Sequence, residues 1–322
     1  MRILLWHVHG SWTTAFVQGR HEYVVPVVPG RGGDGRGRAQ TWTWPEAVTE
    51  RSPAELGADA GFDVVLLQRP HELELCERWT GLRPGRDIPA VFVEHNAPQG
   101  AIAQMRHPVA DRDDLVLCHV THFNDLFWDA GATPTRVIEH GVVDPGHHYT
   151  GTVPHAAVVI NEAGRRGRVT GTDLLARFDT AGVPIDLYGM DAGALGGTED
   201  LPQDRLHRAM ARRRVYLHPI RWTSLGLALL EAMHLGMPVV ALATTDVVEA
   251  VPPAAGVIST DVAVLARAAR ELLHDPAAAR AAGAAARAHA LRRYGLERFL
   301  ADWDDLLTEV TGHAHRAGLG AR

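Results

Sequence analysis

The chain contains no lysine, and all 32 of its Lys+Arg residues are arginine. Schiff-base and pyridoxal phosphate enzymes, P-loop NTPases and protein kinases each need a lysine amine, so these classes are excluded. Only two cysteines occur, Cys76 and Cys118, far apart and in no CxxC pattern. A disulfide framework, a zinc finger and an iron–sulfur cluster are thereby excluded. Positive charge is not in excess, since the net charge is −6. A nucleic-acid partner, which needs an extended basic face, is not expected. No apolar run approaches the roughly 20 residues of a transmembrane span. Residues 1–6 run straight into His7 and His9, without the apolar core and cleavage site of a signal peptide. A cytoplasmic location is therefore expected. Arginine-rich patches leave peripheral contact with acidic headgroups open.

What is present is a chain of 322 residues, 46% hydrophobic, long enough for two domains with real cores. Short apolar runs recur at 3–8, 23–28, 64–67, 90–93, 115–118 and 137–138, then at 156–160, 185–188, 215–218 and 238–242. Several are Val-rich and apolar on both faces, which suits strands buried in a parallel sheet. Helical patterns lie between or after them at 173–179, 204–211, 224–235, 262–273, 277–292 and 296–310. The alternation predicts α/β architecture. The turn-rich stretch 144–154 marks the domain boundary. The Ala-rich stretch 277–292 reads as a surface helix or filler, and the glycine-rich 30–38 as a flexible surface loop. The first strand is followed by a single glycine, Gly10, and not by GxGxxG, which disfavours a nicotinamide or flavin enzyme.

The most informative segment is 215–241: strand, loop, helix, glycine stop, strand. Thr223 or Ser224 is expected to cap the helix, and Gly236 followed by Pro238 to end it. The helix tip at Ser224, Leu225 and Gly226 suits a phosphate, with Gly226 allowing close approach. Ser224, Leu227 and Glu231 are expected on one helix face, with Glu231 placed to accept from a ribose diol.

These residues resemble the GT-B glycosyltransferases of the retaining family-four type. Glu231-Ala232-Met233 and Gly236-Met237-Pro238-Val239-Val240 match the second half of a motif with two glutamates, the first of which is Thr223 here. The resemblance implies that Glu231 binds the donor ribose and that position 223 lies near the donor sugar. Residues 137–144, with His140 in place of an asparagine, resemble the turn before the interdomain linker. Residues 161–175 resemble the segment whose Arg and Lys hold the donor diphosphate. The lysine position is Thr170, so the charge must come from Arg165, Arg166 or Arg168, with Arg166 and Arg168 as candidates. Tyr188 and Gly189 sit where the family has a strand end near the base. In the first half, Gly10 and Ser11 match the loop facing donor and acceptor. His95 matches a histidine near the donor sugar, with Asn96 and His122 on the acceptor side.

The expected fold is α/β, GT-B, with two Rossmann-like parallel-sheet domains facing a central cleft. The expected domains are 1–145, 146–294 and a helix at 295–322 crossing back to the first. The expected activity is transfer of a hexose or heptose from a nucleoside diphosphate sugar to a hydroxyl acceptor, with retention and with neither metal nor cofactor. UDP, GDP and ADP donors all remain open, and so does the acceptor. The alternatives are a non-catalytic nucleotide-sugar or glycan-binding protein and an epimerase on the same fold.

Overall fold

The computed structural model describes residues 1–59 and 61–312. The chain divides into two units, residues 1–141 with 296–322 and residues 142–295. The division falls four residues before the boundary expected at 145/146, and the second unit extends one residue past the expected 294.

Unit 1 is a parallel sheet of β1 (Arg2–Leu5), β2 (Glu22–Pro26), β3 (Val48–Arg51), β4 (Val64–Leu67), β5 (Ala90–Glu94), β6 (Val116–His119) and β7 (Thr135–Val137). Its order is β3-β2-β1-β4-β5-β6-β7. The central strands β1, β4 and β5 are apolar on both faces because helices cover both sides, and Leu4, Val65 and Phe92 are fully buried. The connecting helices are α1 (Gly10–Phe16), α2 (Pro53–Gly57), α3 (Glu72–Thr80) and α4 (His122–Phe127). β3 carries no apolar run and stands at the sheet edge, where its Val-Thr-Glu-Arg sequence needs only one buried residue.

Unit 2 holds β8 (Val153–Val159), β9 (Ile185–Tyr188), β10 (Arg213–His218), β11 (Val239–Leu242) and β12 (Gly256–Ser259), all parallel, in the order β12-β11-β10-β8-β9. Its helices are α5 (Gly167–Thr170), α6 (Leu175–Thr180), α7 (Gln203–Arg212), α8 (Leu227–Leu235), α9 (Val247–Ala250), α10 (Val262–His274) and α11 (Pro276–Arg293). The Ala-rich α11 is the surface helix of the two readings, exposed on one side and packed along the other. It buries Ala279, Gly283, Ala286 and Ala290, and a Cβ at Gly283 would fall on the Gly236 carbonyl oxygen. Small side chains there allow close helix approach.

The last helix, α12 (Leu296–Thr311), belongs to unit 1. Trp303 packs its ring 5.7 Å from Trp12 and 5.1 Å from Phe16, and Asp304 lies 2.8 Å from His21 Nε2. Gly141 is a glycine because a Cβ there would overlap Phe299 of this helix. Residues 313–322 of the expected terminal helix lie outside the described residues.

Candidate functional site

In unit 2 the carboxyl ends of β8, β9 and β10 lie side by side, and the loops that follow them are tied together. Open α/β sheets bind ligands at such ends. Met190 N–H donates to Asn161 Oδ1 at 3.0 Å and Glu162 N–H to the Met190 carbonyl at 2.9 Å, joining the loops after β8 and β9. Gly189 has φ +134°, and a Cβ there would overlap the Ile160 carbonyl, so the turn after Tyr188 requires glycine. Tyr188 is buried, with a hydroxyl that has no hydrogen-bond partner among the described residues.

The loop after β10 is strapped to α5. Arg221 and Trp222 donate their N–H groups to the Val169 carbonyl at 2.9 and 3.2 Å. The Arg221 guanidinium donates to the Arg168 carbonyl at 2.7 Å and to Asp173 Oδ2 at 2.9 Å. This bidentate pair keeps the Asp173 carboxyl below the usual carboxylate range. Gly171, at φ +74°, closes α5 directly against the Pro219 carbonyl, where a Cβ would overlap the oxygen. Gly171→Ala is expected to lower the melting temperature of the protein. The left-handed conformation alone costs about 1–2 kcal/mol, and the backbone overlap adds to it. Gly164→Ala, where a Cβ meets nothing within 4 Å, is the control. Equal melting temperatures for the two variants would refute this packing.

The strap brings the arginine segment beside residues 223–226. Of the three candidate arginines, Arg165 is paired with Glu162 at 3.0 Å. Arg168 is highly exposed and lies 3.8 Å from Asp173. The half-buried Arg166 has no side-chain hydrogen bond or ion pair among the described residues. Thr170, at the expected lysine position, is buried, and its hydroxyl donates to the Arg166 carbonyl at 3.2 Å.

The helix start differs from the expected one. α8 begins at Leu227, its N-cap is Gly226, and no side chain caps it. Ser224 lies before the helix and is buried, and its carbonyl accepts from Asp246 N–H at 3.4 Å. Leu227 and Glu231 thus share a helix face one turn apart, without Ser224. The glycine at 226 has a structural reason of its own, since a Cβ would lie 2.7 Å from His218 Cε1. Burial pushes His218 down to about 4. Thr223 is half-buried and Leu225 buried. Glu231 is only 4% exposed. Its Oε2 accepts from Gln203 Nε2 at 2.9 Å and lies 3.2 Å from His207 Nε2, both on α7. Nothing in the sequence pattern pointed to those two partners.

Unit 1 gathers its candidates at the ends of β1, β5 and β6. Gly10 and Ser11 open α1, directly after His9. The His95 ring lies 4.1 Å from that of His9, 5.0 Å from Trp12 and 6.5 Å from His140. Burial pushes all three histidines down: His95 well below its ordinary value, His9 to about 4 and His140 to about 3. The three are therefore neutral at pH 7. A neutral His95 suits hydrogen bonding to a hydroxyl and not proton donation. Asn96 is exposed, as is His122, the first residue of α4.

Sequence reading missed Glu94. One of its carboxylate oxygens accepts from Asn96 N–H at 2.6 Å, and the other lies 2.9 Å from His107 Nε2. Val109 N–H donates to His107 Nδ1 at 3.2 Å, so the ring proton sits on Nε2 and points at Glu94. The carboxylate fixes the turn that carries His95 and Asn96. The two partners are separated by 13 residues without periodic spacing, so no local signal exists.

The glycine-rich stretch 30–38 is also not the loose loop expected. Gly37 N–H donates to the Pro26 carbonyl at 2.9 Å, and His7 Nδ1 lies 3.0 Å from the Gly37 carbonyl.

Residues 198–289 match the family model described as "Glycosyl transferases group 1". No curated protein sequence matches the chain. Among solved structures, sucrose-phosphate synthase from Thermosynechococcus elongatus is similar, with TM-score 0.73 and 14% identity over 97% of this chain and 100% of that one. HepE of Anabaena in complex with UDP-glucose aligns with TM-score 0.68 and 13% identity over 96% of this chain and 100% of that one. A glycosyltransferase from Rickettsia africae ESF-5 aligns with TM-score 0.66 and 12% identity over 96% and 98%. At such identities the likeness establishes the fold, which is GT-B.

Proposed function

We propose that this chain is a glycosyltransferase that moves a sugar from a nucleoside diphosphate donor to a hydroxyl acceptor. One observation carries the reading. The arginine-bearing loop after β8 and the motif loop at 223–226, far apart in sequence, are bound together at adjacent strand ends by the Arg221 strap. That geometry offers guanidinium charge and an uncapped helix N-terminus to a diphosphate, with the Glu231 carboxylate one turn along for the ribose. The match at 198–289 and the UDP-glucose complex of HepE are consistent with it.

In this reading the donor diphosphate is held by Arg166, by Arg168 and by the backbone at Ser224–Gly226. They stabilise the negative charge that develops as the sugar leaves. Retention of configuration is proposed from the family-four resemblance. Neutral His95 orients a hydroxyl of the sugar or acceptor, and Asn96 and His122 lie on the acceptor side. Thr223 offers a short neutral hydroxyl to the donor sugar, hexose or heptose, where a glutamate would offer charge. Metal independence is proposed because arginine takes the charge-neutralising part. Among the described residues no three His, Cys, Asp or Glu side chains are placed to hold an ion. A cytoplasmic site of action is also proposed; no described helix is long and apolar enough to cross a membrane.

A second reading is favoured by Thr223 and by the buried Thr170, which leave the site with less charge than the resemblance implies. It makes the protein a non-catalytic nucleotide-sugar binder. The experiment is a thermal-shift screen of nucleoside diphosphates and their sugars, followed by turnover with and without EDTA. One nucleoside diphosphate is expected to raise the melting temperature, with about 2.7 kcal/mol of stabilisation at a hundred times its Kd. Turnover is expected to survive chelation. Binding without turnover supports the second reading, turnover of donor without acceptor supports an epimerase, and no shift with any nucleotide refutes all three.

A further inference from the structure

In unit 2 the packing of α7 against α8 is apolar except at one polar group. The outer face of α7 is charged and exposed, with Asp204, Arg205, Arg208 and Arg212. On its inner face Leu206, Ala209 and Met210 join one apolar cluster with Leu229, Leu230 and Met233 of α8. That cluster already holds the two helices together. Gln203 and His207 stand on the same inner face, four residues apart. Across from them is Glu231, in a run of α8 where every side chain from Leu229 to Leu235 is buried. A carboxylate taken out of water costs free energy that an apolar side chain does not. Helix packing alone therefore gives no reason for this polar group.

The three side chains form one chain of hydrogen bonds. Gln203 Nε2 lies 2.9 Å from Glu231 Oε2 and 2.8 Å from His207 Nε2. His207 Nε2 lies 3.2 Å from the same carboxylate oxygen. An amide nitrogen carries two hydrogens. One is donated to Glu231 Oε2 and the other to His207 Nε2, which places the ring proton on Nδ1. Both neighbours of the amide are then acceptors, so only its nitrogen can meet them. His207 fixes which way Gln203 points, and Gln203 fixes Oε2.

We propose, on the reading of Glu231 as the ribose ligand, that Gln203 and His207 are positioning residues that hold its carboxylate in the orientation that receives the ribose hydroxyls. Both helices belong to unit 2. Glu231 sits one turn, about 6 Å, beyond the start of α8. A glutamate side chain has several rotatable bonds, and a ligand that binds it must freeze them. A carboxylate already held by α7 accepts without that loss. Preference for ribose over deoxyribose is the property this controls, since a site built to hydrogen-bond a hydroxyl rejects the analogue lacking it.

The test titrates the full chain calorimetrically with UDP, GDP and ADP and with their 2′-deoxy forms, well below the melting temperature of every variant. In the wild type the deoxy form of the nucleotide that binds is expected to bind roughly ten-fold more weakly. In Gln203→Leu the ribose form is expected to weaken nearly to the level of the deoxy form, while the deoxy form keeps its wild-type Kd. His207→Leu is expected to reduce the same ratio, and His207→Gln, whose carbonyl oxygen still accepts from Gln203, to retain it. A merely structural clamp lowers the melting temperature and weakens both forms alike. A ratio unchanged in Gln203→Leu and His207→Leu therefore overturns the positioning role and leaves the transfer reading in place. Equal affinity for both forms in the wild type overturns Glu231 as the ribose ligand, and the positioning role with it. Failure of all three nucleotides to bind overturns the transfer reading as well.

Discussion

Lowering the pH from 7 to 4.5 is expected to unfold this protein. His119, His140 and His218 are 0%, 2% and 1% exposed. Burial holds them at about 4, 3 and 4, against an ordinary value near 6.5 in the unfolded chain. Between those values the unfolded chain binds more protons than the folded one, so stability rises with pH. The contribution is complete above about pH 7. It is lost as pH falls below 6.5, and the loss continues until the folded values near 4 and 3. One pH unit is worth about 1.4 kcal/mol per group, so three groups over the roughly two units between 6.5 and 4.5 lose about 8 kcal/mol. Whole domains are stable by only about 5–15 kcal/mol. The measurement is melting temperature from pH 8 to 4, expected to be flat above 7 and to fall steeply below 6. His140→Asn, which removes a buried ring whose two nitrogens lack hydrogen bonds among the described residues, is expected to make the fall shallower. A melting temperature that does not change between pH 7 and 5 would show that these rings are not held neutral by burial.

Glu231→Ala is expected to weaken binding of the nucleoside diphosphate roughly ten- to hundred-fold, since a hydrogen bond to a charged group is worth about 1.5–3 kcal/mol. It is also expected to cost stability, because the carboxylate is 4% exposed and its loss removes an acceptor from Gln203 and a contact at 3.2 Å from His207. Glu231→Gln separates the two effects. The amide oxygen still accepts from Gln203, so the melting temperature should stay near that of the wild type. A neutral amide cannot accept from both ribose hydroxyls as a carboxylate does, so the Kd should still rise. Calorimetry on the Gln variant decides the matter. An unchanged Kd beside an unchanged melting temperature means that Glu231 only braces α7 against α8.

The parallel-sheet architecture was legible because it is written in local pattern. Strands such as Val64–Leu67 and Val239–Leu242 are apolar on both faces, and only a sheet covered on both sides buries such runs. The segment 215–241 was legible for the same reason, since strand, loop, helix and glycine stop each leave a signature within a few residues. Absences were as informative, because the missing lysine removes whole classes of chemistry whatever the fold.

Tertiary structure decided what depends on partners remote in the chain. β3 and β12 have no pattern of their own and exist because a neighbouring strand offers hydrogen bonds. Thr223 and Ser224 carry a capping signal, yet α8 starts at Leu227. The strap from Arg221 to α5, the Asp246 N–H on Ser224 and the His218 ring against Gly226 together outweigh one cap. Glycines at 35 and 37 read as looseness, while packing against Val28 and Glu50 makes them obligatory. Glu94 found His107, and His95 found His9 and His140, only because strand ends converge. Periodicity and capping are properties of a few consecutive residues. A site is a meeting of segments tens of residues apart, and which side chains meet there is set by strand order and packing.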